Sequence, residues 1–166
     1  MDKKKVGGEL KKSDKKEAAN QESRKDGREL VKVDGVFVAN SSEGSNPVVF
    51  LENKDKRLLP IYVGAAEAFS IHTALEKMPY PRPLTHDLLI SVLERLNTRV
   101  GKIIIDDLDD GIFFARLIVK KNGEELEFDT RPSDGVALAV RTDAPIYVSR
   151  KVMDSASVDR DTYQIE

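Results

Sequence analysis

The sequence predicts an α+β domain: a mostly antiparallel sheet with two main helices and a short helix after the run Asp129-Thr130-Arg131-Pro132-Ser133-Asp134. Three observations predict it. Apolar residues alternate at Val31, Val33, Phe37 and Ala39, the period of a half-buried strand. The dipeptides Asp110-Gly111 and Asn122-Gly123 punctuate the second half, and such pairs mark tight hairpins because the favoured turns need positive φ at both central residues. Between these β-rich parts, Ala65 to Met78 and Thr85 to Leu96 carry apolar residues at helical spacing.

The elements follow in order. Residues 1–28 alternate Lys, Glu, Asp, Ser and Gly around only two sizeable apolar groups, Val6 and Leu10. They bury too little to offset the entropy of ordering, so a disordered tail is expected, either simply solvated or a weak nucleic-acid-binding arm. The ordered domain is expected over residues 29–158. A first strand starts near Glu29, a second covers Pro47 to Glu52, and a third covers Leu58 to Val63. Pro60 lacks the N–H of a central ladder, which makes the third strand an edge or a bulged one. A helix over Ala65 to Met78 uses Ala68, Ile71, Leu75 and Met78 as its apolar side. Pro79, Pro81 and Pro83 then stiffen an extended connector. Thr85 is placed as the N-cap of the next helix, whose stripe is Leu88, Leu89, Val92, Leu93 and Leu96. A meander follows over Val100 to Leu108, Ile112 to Lys120 and Glu125 to Thr130. Asp129 lies on the polar face of its last strand, since it alternates with Leu126 and Phe128. Pro132 opens a helix running to about Arg141. Pro145 to Val148 forms a last strand, Arg150 to Ala156 a helical turn, and fraying is expected over residues 159–166.

Composition sets limits. The chain has 166 residues, enough for one domain with a substantial core. It has no cysteine, so disulfides and thiolate metal sites are excluded, as fits a reducing compartment. No apolar run is long enough to span a bilayer, and no apolar stretch follows Lys3, Lys4 and Lys5 as a secretory signal would need. The expectation is a soluble, cytoplasmic protein that does not enter the membrane. Residues 1–35 carry 11 basic and 8 acidic side chains, and the rest carry 16 and 21. An acidic domain is not a sequence-blind binder of phosphate backbones, so any nucleic-acid role must rest on a local site, a bridging cation or the tail.

Four pieces of sequence carry a resemblance. They are Leu59-Pro60-Ile61-Tyr62-Val63-Gly64, Glu67-Ala68, Arg82-Pro83-Leu84-Thr85-His86-Asp87-Leu88, and Asp129 to Asp134 followed by Ala137-Leu138-Ala139 and Arg141. In order and spacing, residues 30–158 resemble the bifunctional nuclease family, with Gly135 where family members usually carry alanine and Thr130 where a smaller residue is common. The resemblance implies a mostly antiparallel α+β domain, self-association into a homo-oligomer, and nuclease activity on both RNA and DNA. It assigns no residue roles, and those come from chemistry.

Phosphodiester cleavage needs an activated nucleophile, stabilisation of charge on the transition state and help for the leaving oxygen. Acidic nucleases commonly meet these needs with divalent cations held by carboxylates. Glu67, His86, Asp129 and Asp134 are the candidate catalytic groups, and Asp129, Asp134 and Asp87 the candidate ligands of a magnesium or manganese ion. Arg82 and Arg131 are candidate phosphate grips. His86, in a helix's first turn, sits where the dipole disfavours an imidazolium, which suits a neutral base or ligand. Each group has a purely structural alternative. Asp134 could satisfy free N–H groups at the helix start, Asp129 could pair with Arg131, and His86 could cap its turn locally. Ser133 has no base adjacent in sequence. Asp106, Asp107, Asp109 and Asp110 do not match a calcium loop and read as a solvated hairpin tip. Two functions therefore stand side by side. One is a low-specificity, metal-assisted nuclease, which requires its groups to converge in one cleft. The other is a non-catalytic oligomeric interaction or anion-binding module, which requires Arg131, Asp129 and Asp134 to be buried and mutually satisfied.

Overall fold

The computed structural model describes residues 27–41 and 44–161. The tail expected over residues 1–28 lies, up to residue 26, outside the described residues. The chain runs β1 (Arg28–Ser41), β2 (Gly44–Asn53), β3 (Arg57–Tyr62), α1 (Ala65–Leu75), α2 (Thr85–Arg95), β4 (Thr98–Asp109), β5 (Ile112–Lys121), β6 (Glu124–Thr130), α3 (Pro132–Thr142), β7 (Ile146–Ser149), α4 (Arg150–Ala156) and β8 (Val158–Asp159). The eight strands make one sheet in the order β6-β5-β4-β7-β1-β2-β3-β8. Every neighbouring pair is antiparallel except β4 with β7. The α+β class is as expected.

Two antiparallel meanders, β1-β2-β3 and β4-β5-β6, are joined through β7. Its residues Ile146, Tyr147 and Val148 are all buried, which suits a strand enclosed on both sides. Both expected hairpin turns have the positive φ their sequences require, at Asp110 (47°) and Gly111 (77°) and at Asn122 (51°) and Gly123 (89°). One sheet face supplies Ile103, Ile105, Leu117, Val119 and Val148 to a core completed by Ile71 of α1, Val136 and Leu138 of α3, and Val152 and Met153 of α4. Each such side chain contributes about 1.5–3 kcal/mol by leaving water. Helix α3 lies close on β4. A Cβ at Gly135 would come within 2.8 Å of Ile103 Cγ2, so the glycine fits the close approach of a bulky neighbour.

The structure departs from expectation at several ends. Helix α1 stops at Leu75, because Lys77 turns left-handed (φ 51°) and the Met78 N–H bonds back to the Thr73 carbonyl. Leu84, not Thr85, is the N-cap of α2, and the cap is closed by the Asp87 carboxylate, which accepts the Leu84 N–H at 2.8 Å. Helix α3 runs one residue past its expected end, to Thr142, and with 11 residues equals α1 and α2 in length. Asp106 and Asp107 belong to β4 rather than to the hairpin tip, and they pair with Arg116 and Lys151. The stripe of α2 does not face inward as a whole. Leu93 and Ile90 pack on the core, while Leu88 (59% exposed), Val92 (43%) and Leu96 (58%) face outward. Beyond Leu58, β3 is an edge, because β8 pairs only with Arg57 and Leu58, and Pro60 is accommodated there. Where fraying was expected to begin, Val158–Asp159 forms β8 and Arg160 pairs with Asp34 and Glu52. Among the described residues no helix is long and apolar enough to cross a membrane.

Candidate functional site

Three helix starts meet at one corner of the molecule. Glu67 lies in the first turn of α1, His86 and Asp87 in that of α2, and Asp134 in that of α3, with Arg131 as the α3 N-cap. Pro132 at the first helical position fixes where α3 begins, and so where Arg131 stands relative to Asp134. Glu67 folds back over Gly64, the α1 N-cap, where a Cβ would collide with its Oε2.

The side chains form one hydrogen-bonded chain. Arg131 donates through Nε to Asp134 Oδ2 at 2.7 Å and through Nη2 to Asp134 Oδ1 at 3.0 Å. The same Nη2 donates to Glu67 Oε1 at 2.7 Å. His86 Nε2 lies 3.1 Å from Asp134 Oδ1, and its Nδ1 lies 2.8 Å from Ser70 Oγ. Ser70 Oγ also accepts from Arg141 Nη2 at 3.0 Å, and Arg141 Nε donates to Asp87 Oδ1 at 2.6 Å. Arginine only donates, so the Ser70 hydroxyl hydrogen is free to point at His86 Nδ1. A neutral imidazole then carries its hydrogen on Nε2 and donates it to Asp134.

The charges reinforce the arrangement. Burial pushes the Asp134 carboxyl up, but the Arg131 and His86 hydrogen bonds together with the Arg131 charge outweigh it and hold the group below the usual carboxylate value. Burial likewise raises the Asp87 carboxyl, and Arg141 together with the Leu84 N–H brings it below its usual value. The Asp134 hydrogen bonds and then the Glu67 one raise Arg131 above the ordinary arginine value, so it stays a cation. Arg131 is also open: its side chain is 66% exposed, and Nη1 makes no hydrogen bond among the described residues. Beside it, His86 and Asp134 wall a groove of 400 Å³ whose other lining includes Leu89, Leu117, Val119 and Phe128.

Of the candidate catalytic residues, Glu67, His86 and Asp134 come together with Arg131. Asp129 borders the same groove as His86 and Asp134 but makes no hydrogen bond or ion pair with them among the described residues. Its strand partner is Arg116, while Phe128 is opposite Leu117 of the core, so alternation sends the Asp129 side chain to the other face of the sheet. It is exposed and forms no ion pair among the described residues. The candidate metal set of Asp129, Asp134 and Asp87 is accordingly not assembled. Among the described residues no group of three or more histidine or acidic side chains is placed to hold a metal ion. A guanidinium, that of Arg131, lies between Glu67 and Asp134 where a cation would be shared. Arg82 stands apart from Arg131, lining a separate cleft beyond α2. Ser133 is buried and Thr85 exposed. Ser70 and Arg141 were given no role by sequence reasoning, although they join the two halves of the network. The available signal was the spacing of Ser70 three residues after Glu67, on the same side of α1.

A family model described as the bifunctional nuclease domain matches residues 48–161, more than half of the chain. The chain belongs to the bifunctional nuclease domain family. Every residue of the network lies inside the matched span. An uncharacterized protein of Mycobacterium tuberculosis is 37% identical over 129 residues, covering 77% of this chain and 76% of its own length. Bifunctional nuclease 1 of Oryza sativa subsp. indica is 30% identical over 108 residues, and Bifunctional nuclease 2 of Arabidopsis thaliana 27% over 153 residues. These matches cover 63% and 83% of this chain but only 33% and 46% of the plant proteins, so this member corresponds to less than half of either.

Proposed function

We propose that this protein is a nuclease of low specificity that hydrolyses phosphodiester bonds in RNA and DNA, with its centre at Glu67, His86, Arg131 and Asp134. The observation that carries the reading is the exposed Arg131 guanidinium, held rigidly by two carboxylates beside the Asp134–His86 pair. A phosphate oxygen accepts from the free Nη1 of Arg131, and the charge that builds on phosphorus in the transition state is met by a donor already in place. Glu67 Oε1 is taken by Arg131, while Oε2 makes no hydrogen bond among the described residues and is open to the proton of an attacking water. The water oxygen bonds phosphorus as the ester P–O bond breaks, Glu67 returns the proton it took from the water to the leaving oxygen, and the His86–Asp134 pair holds Arg131 in place. A divalent cation such as magnesium or manganese would have to displace Arg131 to share Glu67 and Asp134, and no step here passes through one.

The interaction-module reading needs Arg131 and Asp129 buried, and both are exposed. Self-association is a separate matter and is compatible with a nuclease. The outward face of α2, with Leu88, Leu89, Val92 and Leu96 exposed, supports a homo-oligomer built on that face.

The test is cleavage of single-stranded RNA and DNA by purified protein, with magnesium, with manganese and with a chelator, beside Arg131→Ala. Arg131→Ala should lower kcat/KM by about 100–1,000-fold, the loss typical of one charge-stabilising donor. Equal cleavage by wild type and variant would sink the proposal.

A further inference from the structure

The connector between α1 and α2 borders a cleft of 660 Å³, within the roughly 300–1,000 Å³ of ligand sites. Asp87 and Arg141 line it, already paired with each other at 2.6 Å. Lys77, Tyr80 and Arg82 line it as well, and all three are exposed. Lys77 and Arg82 form no ion pair or side-chain hydrogen bond among the described residues, and Asp143 is the one other carboxylate in the lining. An otherwise acidic domain thus presents a local excess of positive charge here. Tyr80 is 55% exposed and braced edge-on by Phe69, with ring centroids 5.7 Å apart at 77°. The prolines on either side of it fix the backbone, so the ring is held as a platform.

Unpaired cations beside a braced, exposed aromatic ring suit a single strand, with phosphate on the cations and a base on the ring. A duplex suits the cleft poorly, because its bases have no free face to stack and two cations cannot follow both backbones. The cleft is also wired to the candidate centre. Asp87 follows His86 in the first turn of α2, and Arg141 reaches Ser70 Oγ at 3.0 Å, which in turn meets His86 Nδ1 at 2.8 Å.

We infer that this cleft is a binding subsite for single-stranded RNA or DNA, with Lys77 and Arg82 holding a phosphate and Tyr80 stacking a base. The inference rests on the nuclease reading for its choice of ligand.

The experiment is fluorescence anisotropy of the full chain with a labelled, nuclease-resistant phosphorothioate oligothymidine, and with the same strand made abasic, over a range of salt. Arg82→Gln should weaken binding and reduce the slope of log affinity against log salt by about 0.7, the value for one phosphate contact on a single strand. Tyr80→Ala should cost about tenfold on the normal strand and nothing on the abasic one. Both positions are exposed, and circular dichroism checks that the variants keep the fold. An unchanged salt slope in Arg82→Gln, an equal loss on both strands for Tyr80→Ala, or no binding by the wild type would each overturn the subsite. Tight, Arg82-dependent binding without any cleavage would leave the subsite standing and remove the nuclease reading instead. Cleavage with KM unchanged in both variants would do the reverse.

Discussion

His86 has both ring nitrogens engaged, one by Ser70 and one by Asp134, and that pairing defines the candidate centre more than any single acid does. Ser70 is 4% exposed, and it connects groups far apart in sequence, Arg141 being 71 residues away. Ser70→Ala would leave Arg141 Nη2 and His86 Nδ1 each short of a partner in a buried setting. We expect a stability loss of about 1–3 kcal/mol. We also expect ¹⁵N imidazole shifts that no longer report a single tautomer, read by NMR; unchanged shifts would remove Ser70 as the positioning residue of His86. Glu67, His86, Arg131 and Asp134 were legible in the sequence because they sit at helix starts within recognisable runs. Ser70 and Arg141 were not, since a serine and an arginine inside helices gain meaning only when packing brings them together. Asp129 looked equivalent to Asp134 in the linear motif. Both border one groove, but strand alternation turns the Asp129 side chain away from the core face, while the change to helix at Pro132 aims Asp134 at His86 and Arg131.

At the level of elements, the two hairpins were readable because Asp-Gly and Asn-Gly impose their own turn geometry. The outward half of the α2 stripe was not, because amphipathic spacing shows that a helix has an apolar face but not what covers it. The exposed stripe has a consequence for assembly. Replacing Leu88 and Val92 by lysine should leave a folded chain, with stability changed by about 0.5 kcal/mol or less per surface site. It should abolish self-association in sedimentation equilibrium. A wild type that sediments as a monomer, or a variant that assembles as before, would show that another partner or no partner covers this face. The acidic edge strand β6 argues against strand-to-strand pairing of two copies there, because its carboxylates would oppose one another.

For the molecule as a whole, the sheet order could not be read from the chain. Inserting β7 between β4 and β1 depends on where a four-residue strand finds two open edges at once. At the opposite end of the sheet from β6, Glu52 ties β1, β2 and the C-terminal turn together. It is 2% exposed and contacts Lys32 at 2.7 Å and Arg160 at 2.9 Å. The Lys32 hydrogen bond is the largest influence on its carboxyl; burial opposes, Arg160 assists, and the pKa falls from 4.5 to about 2. A carboxylate with a depressed folded pKa contributes stability that is present above its unfolded value and lost as pH falls toward the folded one. The Glu52 contribution is therefore complete at neutral pH and disappears between about pH 4.5 and 2. Thermal unfolding from pH 7 to 2 should show Glu52→Gln less stable than wild type at neutral pH, with the gap closing below pH 4.5. A gap independent of pH would contradict the ion cluster as its source.

In the function proposed above, catalysis gathers at the junction of Glu67, His86, Arg131 and Asp134 and does not depend on Asp129. The most direct measurement compares single-turnover cleavage of one RNA strand by wild type, Asp134→Asn and Asp129→Asn, each shown to be folded. Asp134→Asn removes the anion that holds Arg131 and His86 and should slow cleavage by about 100-fold or more, the scale of a lost acid–base or charge-stabilising group. Asp129→Asn should cleave at the wild-type rate. Loss of activity in Asp129→Asn with Asp134→Asn unimpaired would place the chemistry on the strand end and contradict the site described.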